Sequence, residues 1–473
     1  MASLSGKYFL KGNFMNISRE FIEYLHEITY ENMPEEAHDR AKYFLLDFLG
    51  VSICGTKADS SGVLYNFIKN NAKHDGPCTI IGSPLKTMPA DAALVNGGVA
   101  HAIEMDDVTT RSSLHPGVSV MPSCIAMSEV HCSNPKRLIE AIVTGYEVTN
   151  RIGNAVNAKS HYARGFHPTA TCGTFASSIV ASKLLGQSVD KMANTLAIAG
   201  SQASGSMQYL DNGAWTKRFH PGWSAHSGIY AAYMAENGFI GPSDILGGES
   251  GFFAAYSDDA NPEYLTEKIG DYWEICETGI KPYACCRFNH ASVDATIALC
   301  KENDLKAEDI EKVEVRVPKT SELLVINPED KKRNPENIVD AQFSLHYAVA
   351  VSILKRAAGL QEYSEEYIAS KDFNSLIQKI YCFGDIEMDK EFPEKWQANV
   401  KITTKNDSYE IHQPYPKGDP KNPMTWDELI ERFHLMTSNV ISKEKSVEIV
   451  EKVINLDRLE SISEFVDLCS FQS

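Results

Sequence analysis

This 473-residue chain contains no C-x-x-C, no H-E-x-x-H, no G-x-x-x-x-G-K-[ST] and no G-x-S-x-G. Those absences remove thioredoxin-type and zinc-ribbon sites, zincin proteases, P-loop nucleotide binding and the serine nucleophile elbow. The Gly-rich piece Gly247-Gly248-Glu249-Ser250-Gly251 lacks dinucleotide spacing and reads as a loop. Long apolar runs are missing too. The most apolar stretch, Phe44–Cys54, is short and carries Asp47, so it predicts a core helix rather than a membrane span. Met1–Asn16 offers no apolar stretch with a small-residue cleavage site, and we expect no signal peptide. The 11 cysteines are odd in number and scattered, which predicts a reduced, cytoplasmic setting without a disulfide framework. Cys285-Cys286 has no ligand spacing and reads as two small buried hydrophobes. Positive charge is scarce: 45 Lys+Arg face 63 Asp+Glu, a formal net charge of −18. Such a surface repels nucleic acid and anionic lipid. An anionic substrate would therefore need a local basic pocket, which makes clustered Lys, Arg and His the places to look.

What is present is an ordinary globular balance, 43% hydrophobic and 23% charged, in a chain long enough for two domains. The first half reads as helix. Beyond Pro34, Ala37, Ala41, Phe44, Leu45, Phe48 and Leu49 recur at helical spacing. Helical stretches follow over Pro89–Ile103, Val118–Val130, Pro135–Ile152, Pro168–Leu185, Val189–Met207 and Gly222–Asn237. Several are rich in Ala, Ser and Gly, which lets helices approach closely. The period then changes to two: Val313, Val315 and Val317 alternate with Lys312, Glu314 and Arg316. Tyr381–Met388 reads as another strand, and Asn399–Thr404 with Ser408–His412 as a hairpin. Helices are expected at Ala291–Glu302 and Ser344–Lys355 between them. Pro414, Pro416, Pro420 and Pro423 form a connector, and helices resume at Thr425–Thr437, Lys443–Val453 and Leu459–Cys469. The expected fold is mostly α: a large helical bundle (1–275, completed by 413–473) with a smaller α+β lid domain inserted at 276–412.

Four clusters could carry chemistry. His101-Ala-Ile-Glu104-Met105-Asp106-Asp107 runs through Arg111 to His115-Pro116-Gly117, so carboxylates precede a histidine at a helix start. Carboxylates there can orient and tune an imidazole; the bland alternative is an acidic helix end with a surface histidine. His161 to His167-Pro168 repeats the His-Pro-helix arrangement, where a helix N-terminus favours an anion and a neutral imidazole, or simple capping. Lys217-Arg218 sits among Trp215, Phe219, His220 and Trp223 just before the next expected helix. Cations with such neighbours can bind a carboxylate; an exposed basic turn is the alternative. Lys281 to His290, with Cys285, Cys286 and Arg287, falls where helices give way to the α+β part, and domain junctions are favoured for small-molecule sites.

Together these blocks resemble the MmgE/PrpD family, over Ala37–Gly55, His101–Pro122, Gly165–Gly186, Lys217–Phe253, Lys281–Ala295, Asp340–Ala350 and Gly418–Phe433. The resemblance implies a helical domain plus an α+β lid, a homodimer, and metal-independent handling of a proton next to a carboxylate. The family holds 2-methylcitrate dehydratase, cis-aconitate decarboxylase and an imino-dicarboxylate epimerase. Its acidic motif falls on Glu104, Asp106 and Asp107, its histidines on His115 and His167, and its lysines on Lys217 and Lys281. Cys286 stands where animal decarboxylases carry a lid histidine. Their lid tyrosine falls near Val325 or Ile326, and Glu104 replaces an Asp.

The expectation is a cofactor-free, metal-free lyase for a small polycarboxylate, with dehydration preferred. His115, His167, Lys217, Asp107 and Glu104 are the expected catalytic residues. Arg111, Lys281, Arg287 and His290 are the expected substrate ligands. An epimerase or cis-aconitate-type decarboxylase is the first alternative, and a non-catalytic polycarboxylate binder the second.

Overall fold

The computed structural model describes residues 16–131 and 134–471, so the expectation for the first fifteen residues lies outside it. The chain divides into two compact units. The first comprises residues 1–102, 106–278 and 425–473, and the second comprises 103–105 with 279–424. The divisions thus fall at 278/279 and 424/425, where periodicity alone placed them at 275/276 and 412/413. The difference has a local cause in the proline-rich connector. Ile280 N donates to Gly418 O at 2.8 Å, and Lys417 N donates to Asp294 Oδ2 at 2.6 Å, so the connector belongs to the second unit.

The first unit is helical. Its centre is helix Pro168–Leu185, in which every residue from Pro168 to Leu184 is buried. Helices Thr216–Glu236, Pro135–Val156 and Gly117–His131 pack against it, and Pro89–Ala100 packs on Thr216–Glu236. A helix buried on all sides needs small residues where it meets its neighbours. A Cβ added to Gly97 would lie 2.8 Å from Gly222 Cα, and one added to Gly222 would lie 2.0 Å from Leu94 O. Only glycine lets these two backbones touch. The C-terminal helix Trp426–Thr437 returns to helix Glu35–Gly55, where Arg432 pairs with Asp47. Burial pushes the Asp47 carboxyl up to about 6 although the guanidinium opposes it.

Some helix ends differ from expectation. Val189–Gly200 stops short of Met207, and within Leu459–Cys469 the chain forms a short helix at Ser463–Val466 followed by a 3-10 turn at Asp467–Cys469. Helix Thr216–Glu236 begins six residues earlier than the expected Gly222 and carries Pro221 inside it. Proline normally marks a helix start. Here it sits in the second turn, where it can make no bond to Lys217 O. Lys217, Arg218 and His220 therefore lie on the helix rather than before it.

In the second unit strand Ile310–Pro318 is central to a four-stranded sheet. It runs parallel to Ile380–Asp385 and antiparallel to Ala398–Thr404, which pairs in turn with Ser408–Gln413. Val313 faces Ile380 on one side and Ile402 on the other, and Val315 faces Val400. Val313, Val315 and Val317 are fully buried while Lys312 and Arg316 are exposed, as period two requires. Helices His290–Glu302 and Leu345–Lys355 pack on the sheet and on each other. The fold is mostly α with a smaller sheet-containing C-terminal domain.

Candidate active site

The first cluster begins where helix Pro89–Ala100 ends. His101 is fully buried at its C-terminus. Glu104 then takes a left-handed backbone, φ 60°, a conformation rare for a non-glycine residue. Asp106 and Asp107 follow, both buried, and they do different things. Asp107 accepts from Gly117 N at 3.0 Å and from the Tyr146 hydroxyl. It thereby caps the start of helix Gly117–His131. Burial raises its pKa well above the carboxylate range, against those two donors. The Asp107 side chain, with Glu104 a candidate for orienting one of His115 and His167, is engaged at the helix start.

Asp106 is the carboxylate that faces the rings. Its Oδ2 lies 2.9 Å from Nδ1 of His101 and 3.1 Å from Nδ1 of His115. His115 Nδ1 also meets the Asp107 carbonyl at 2.7 Å. Two acceptors at Nδ1 place the proton there and leave Nε2 with the lone pair. Burial opposes ionisation of Asp106, yet the two imidazoles hold it well below the ordinary carboxylate value. The loop is held in register from outside. His115 N donates to Thr169 Oγ1 at 3.1 Å, and the Tyr162 hydroxyl donates to Ser113 O at 2.7 Å.

The second histidine precedes helix Pro168–Leu185. His167 N donates to Gly205 O at 2.9 Å, and His167 Nδ1 lies 3.0 Å from His220 Nδ1. Gly205 has φ +148°, and a Cβ there would meet Ala170 Cβ at 2.4 Å, so the loop reaches His167 only as glycine. Burial, then the charges of His220 and Lys217, push His167 well below its ordinary value. His220 is pushed down to about 4, chiefly by burial. Both rings are neutral near pH 7, one donating to the other. The rings form a series: His115 to His101 at 5.2 Å between centroids, His101 to His167 at 6.0 Å, His167 to His220 at 5.2 Å. Tyr209 lies edge-on to the last two. A cavity of about 1020 Å³ in this unit reaches the series through Tyr209 and His220, with Arg164, Gln208 and Trp223 on its wall. Of the sequence candidates, His115, His167, Lys217 and Asp107 therefore lie in one neighbourhood.

His161 is a satisfied core residue, bonded to Tyr256 O and Thr171 Oγ1. Arg111 lies apart, paired with Glu267 at 2.8 Å over the Tyr264 ring.

The remaining candidates lie in the second unit. Lys281, 1% exposed, meets Glu104 Oε2 at 3.3 Å. Arg287 is buried; its Nη groups donate to Asp419 Oδ2 at 3.2 Å and Lys417 O at 3.4 Å, while its Nε has no hydrogen-bond partner among the described residues. Asp419 offsets its buried charge. His290 bonds Cys285 O at 3.2 Å, and burial holds it neutral. Among the described residues no group of three or more His, Cys, Asp or Glu could hold a metal ion, and no helix is long and apolar enough to cross a membrane.

Sequence reasoning did not foresee that His101, Asp106, His220 and Tyr209 lie together in this series. His101 and Asp106 stood in the motif, but which carboxylate faces a ring depends on loop backbone that spacing does not reveal. His220 was hidden by the proline after it, which made Lys217–His220 look like a loop.

Residues 19–265 match the MmgE/PrpD N-terminal domain and residues 283–456 the MmgE/PrpD C-terminal domain. The cis-aconitate decarboxylase of Aspergillus terreus is 27% identical over 96% of this chain and 95% of its own. The human cis-aconitate decarboxylase is 25% identical over 95% and 93%. The 2-methylcitrate dehydratase of Salmonella typhimurium is 21% identical over 96% and 97%. With both domains matched and lyases aligned along nearly its whole length, this chain is an enzyme of the MmgE/PrpD family, of the lyase class.

Proposed function

We propose that this chain is a metal-independent lyase for a small tricarboxylate, with dehydration of a hydroxy acid as its reaction and His115 as the group that moves the proton. The observation that carries this is the Nδ1 anchorage of His115 on Asp106 and the Asp107 carbonyl, which leaves Nε2 as a base. In the elimination His115 Nε2 takes the proton from the carbon next to a carboxylate. The C–H pair becomes the new double bond, the C–O bond breaks, and the departing hydroxide takes the proton back from His115 to leave as water. Asp106 stabilises the imidazolium in between. Lys217 offsets the negative charge that develops on the carboxylate. His167, held neutral, serves as an N–H donor to the substrate rather than as a charged acid. Lys281 and Glu104 are retained as substrate and catalytic residues by their match to the family motif, and Arg287 and His290 as substrate ligands, each with a buried nitrogen that has no hydrogen-bond partner among the described residues; Arg111 is kept behind them because Glu267 pairs with it.

Decarboxylation is the second reading, favoured by the cis-aconitate decarboxylases at 25–27% identity. There His115 starts as the imidazolium, protonated from solvent; the C–C bond breaks, carbon dioxide leaves without the bonding pair, and the carbanion takes the Nε2 proton. Cys286 and the Val325–Ile326 position, which depart from the decarboxylase pattern, support dehydration instead. Incubating the enzyme with citrate, 2-methylcitrate and cis-aconitate while following alkene absorbance and carbon dioxide separates the two. Turnover is expected to survive EDTA; loss on chelation restored by one metal would overturn the metal-independent part.

We also propose a cytoplasmic homodimer. All ten described cysteines are free. Along helix Thr216–Glu236 the large side chains of Phe219, Trp223, Tyr230 and Met234 are 38–46% exposed, and Phe219 stacks on Trp223. A contiguous face of this kind on a strongly acidic protein supports a second copy as its cover. Sedimentation of a Trp223→Glu variant tests it: dissociation is expected, and an unchanged oligomer would overturn the assignment of this face.

A further inference from the structure

We infer that His101 is a positioning residue for His115, acting through Asp106; this rests on the reading of His115 as the group that moves the proton. His101 is fully buried, and its Nδ1 donates to Asp106 Oδ2 at 2.9 Å, the same oxygen that meets His115 at 3.1 Å. The other oxygen, Oδ1, is buried with no hydrogen-bond partner. The hydrogen-bond support of this carboxylate therefore comes through one atom from two imidazoles.

The surroundings otherwise oppose its charge. Asp107 is adjacent and Asp47 is near enough to be affected by it, and burial raises both of those carboxyls. The remaining titratable rings in the series, His167 and His220, are held neutral and bring no positive charge. Without His101, Asp106 would keep a single donor in a site that disfavours the anion, and its proton affinity would rise. A protonated Asp106 is itself an O–H donor. Donating to His115 Nδ1, it would compete with the Asp107 carbonyl, shift the ring proton toward Nε2 in part of the population, and occupy the lone pair that the reaction needs. His101 thus keeps Asp106 an acceptor, and Asp106 keeps His115 in the working tautomer. His101 touches no reacting atom in this scheme.

The test uses two replacements that retain volume in a buried place. The amide nitrogen of His101→Asn falls where Nδ1 lies and keeps the donor to Asp106. That of His101→Gln falls where Nε2 lies and removes it. Full-length protein with isotope-labelled histidine ring nitrogens is examined by NMR, and the same preparations are assayed across pH on whichever tricarboxylate the wild type turns over. For wild type and His101→Asn the expected results are His115 protonated at Nδ1 and similar turnover. For His101→Gln a shift of the His115 proton toward Nε2 is expected, with kcat lower by roughly 10–100-fold, part of what a general base contributes. The acid limb of its kcat profile should move to higher pH while KM stays within about threefold. An unchanged tautomer and limb in folded His101→Gln would overturn the inference, as would equal loss in both variants. His115→Asn separates this from the parent reading. If His115→Asn still turns over, the parent reading fails. If it is inactive while His101→Gln behaves as wild type, only the inference fails.

Discussion

The imidazole series of the first unit and the cationic cluster of the second are both buried, and they solve burial in opposite ways. In the first, a buried carboxylate, Asp106, is held ionised by two imidazoles, while burial keeps His167 neutral. In the second, each cation faces a carboxylate: Lys281 on Glu104 and Arg287 on Asp419. Such pairs offset the cost of burying each charge by facing it with its opposite. Groups poised to exchange protons perform acid–base chemistry, and fixed charges hold anions or hold the fold. Removing a member of the first region should therefore injure turnover more than stability. Removing a member of the second should injure stability.

The largest expected effect is on His115. Replacing it with Ala should lower kcat by roughly 10²–10⁴-fold, the usual range for a lost general acid or base. The melting temperature should change little, since the ring lies on a loop held by Thr169 and Tyr162 through backbone groups. Thermal melting and kinetics on one preparation decide it. An early melt with normal turnover per folded molecule would make His115 structural.

Next in size is Lys281→Met. It leaves Glu104 buried beside an apolar chain, and breaking a buried pair from one side costs about 3–5 kcal/mol. Denaturant unfolding should show that loss in the variant. A midpoint equal to wild type would mean that the pair is not part of what holds the second unit together.

The sequence disclosed these two regions unequally, for physical reasons. Strand Ile310–Pro318 was legible because one face is buried and the other wet, so its side chains alternate in kind. Helix Pro168–Leu185 carries no stripe, being buried all round, and was legible from its length, its opening proline and Gly186 at its end. The start of Thr216–Glu236 was not, because a proline inside a helix looks like a boundary. The candidate site was legible as residue types. His115, His167 and Lys217 were marked by charge and by position beside prolines and aromatics. The roles of Asp106 and Asp107 were not, since adjacent residues in an irregular loop point where the backbone sends them.

A third, smaller effect is on acid stability. His161 and His220 in the first unit and His346 in the second are each held at about 4 by burial, from an ordinary 6.5. A lowered folded-state value favours the neutral ring, so its contribution is complete above pH 6.5 and is lost as pH falls toward 4. The melting temperature should fall across that window. Hydrogen exchange should rise more in the first unit, which holds two of the three. A flat melting temperature from pH 6.5 to 4 would show that these rings are not buried neutral in solution.

The smallest expected effect falls on Asp107, and it sharpens the contrast most because Asp107 adjoins Asp106. Its carboxyl is raised well above the ordinary value by burial, its side-chain contacts are Gly117 N and the Tyr146 hydroxyl, and only its backbone carbonyl meets His115. Asp107→Asn preserves the backbone carbonyl and retains a side-chain oxygen to accept from Gly117 N. It should therefore lower kcat by less than about tenfold, well below the roughly 10²–10⁴-fold range for losing the base itself. Asp106→Asn, one position earlier, should approach that full range, because an amide can donate to Nδ1 and stabilise the wrong tautomer. The comparison is made on kcat, with melting temperatures measured alongside so that a weakened helix start is not mistaken for lost chemistry. Equal losses in the two variants, with both proteins folded, would mean that the neighbouring carboxylates act as one unit and that the division of labour between them is wrong.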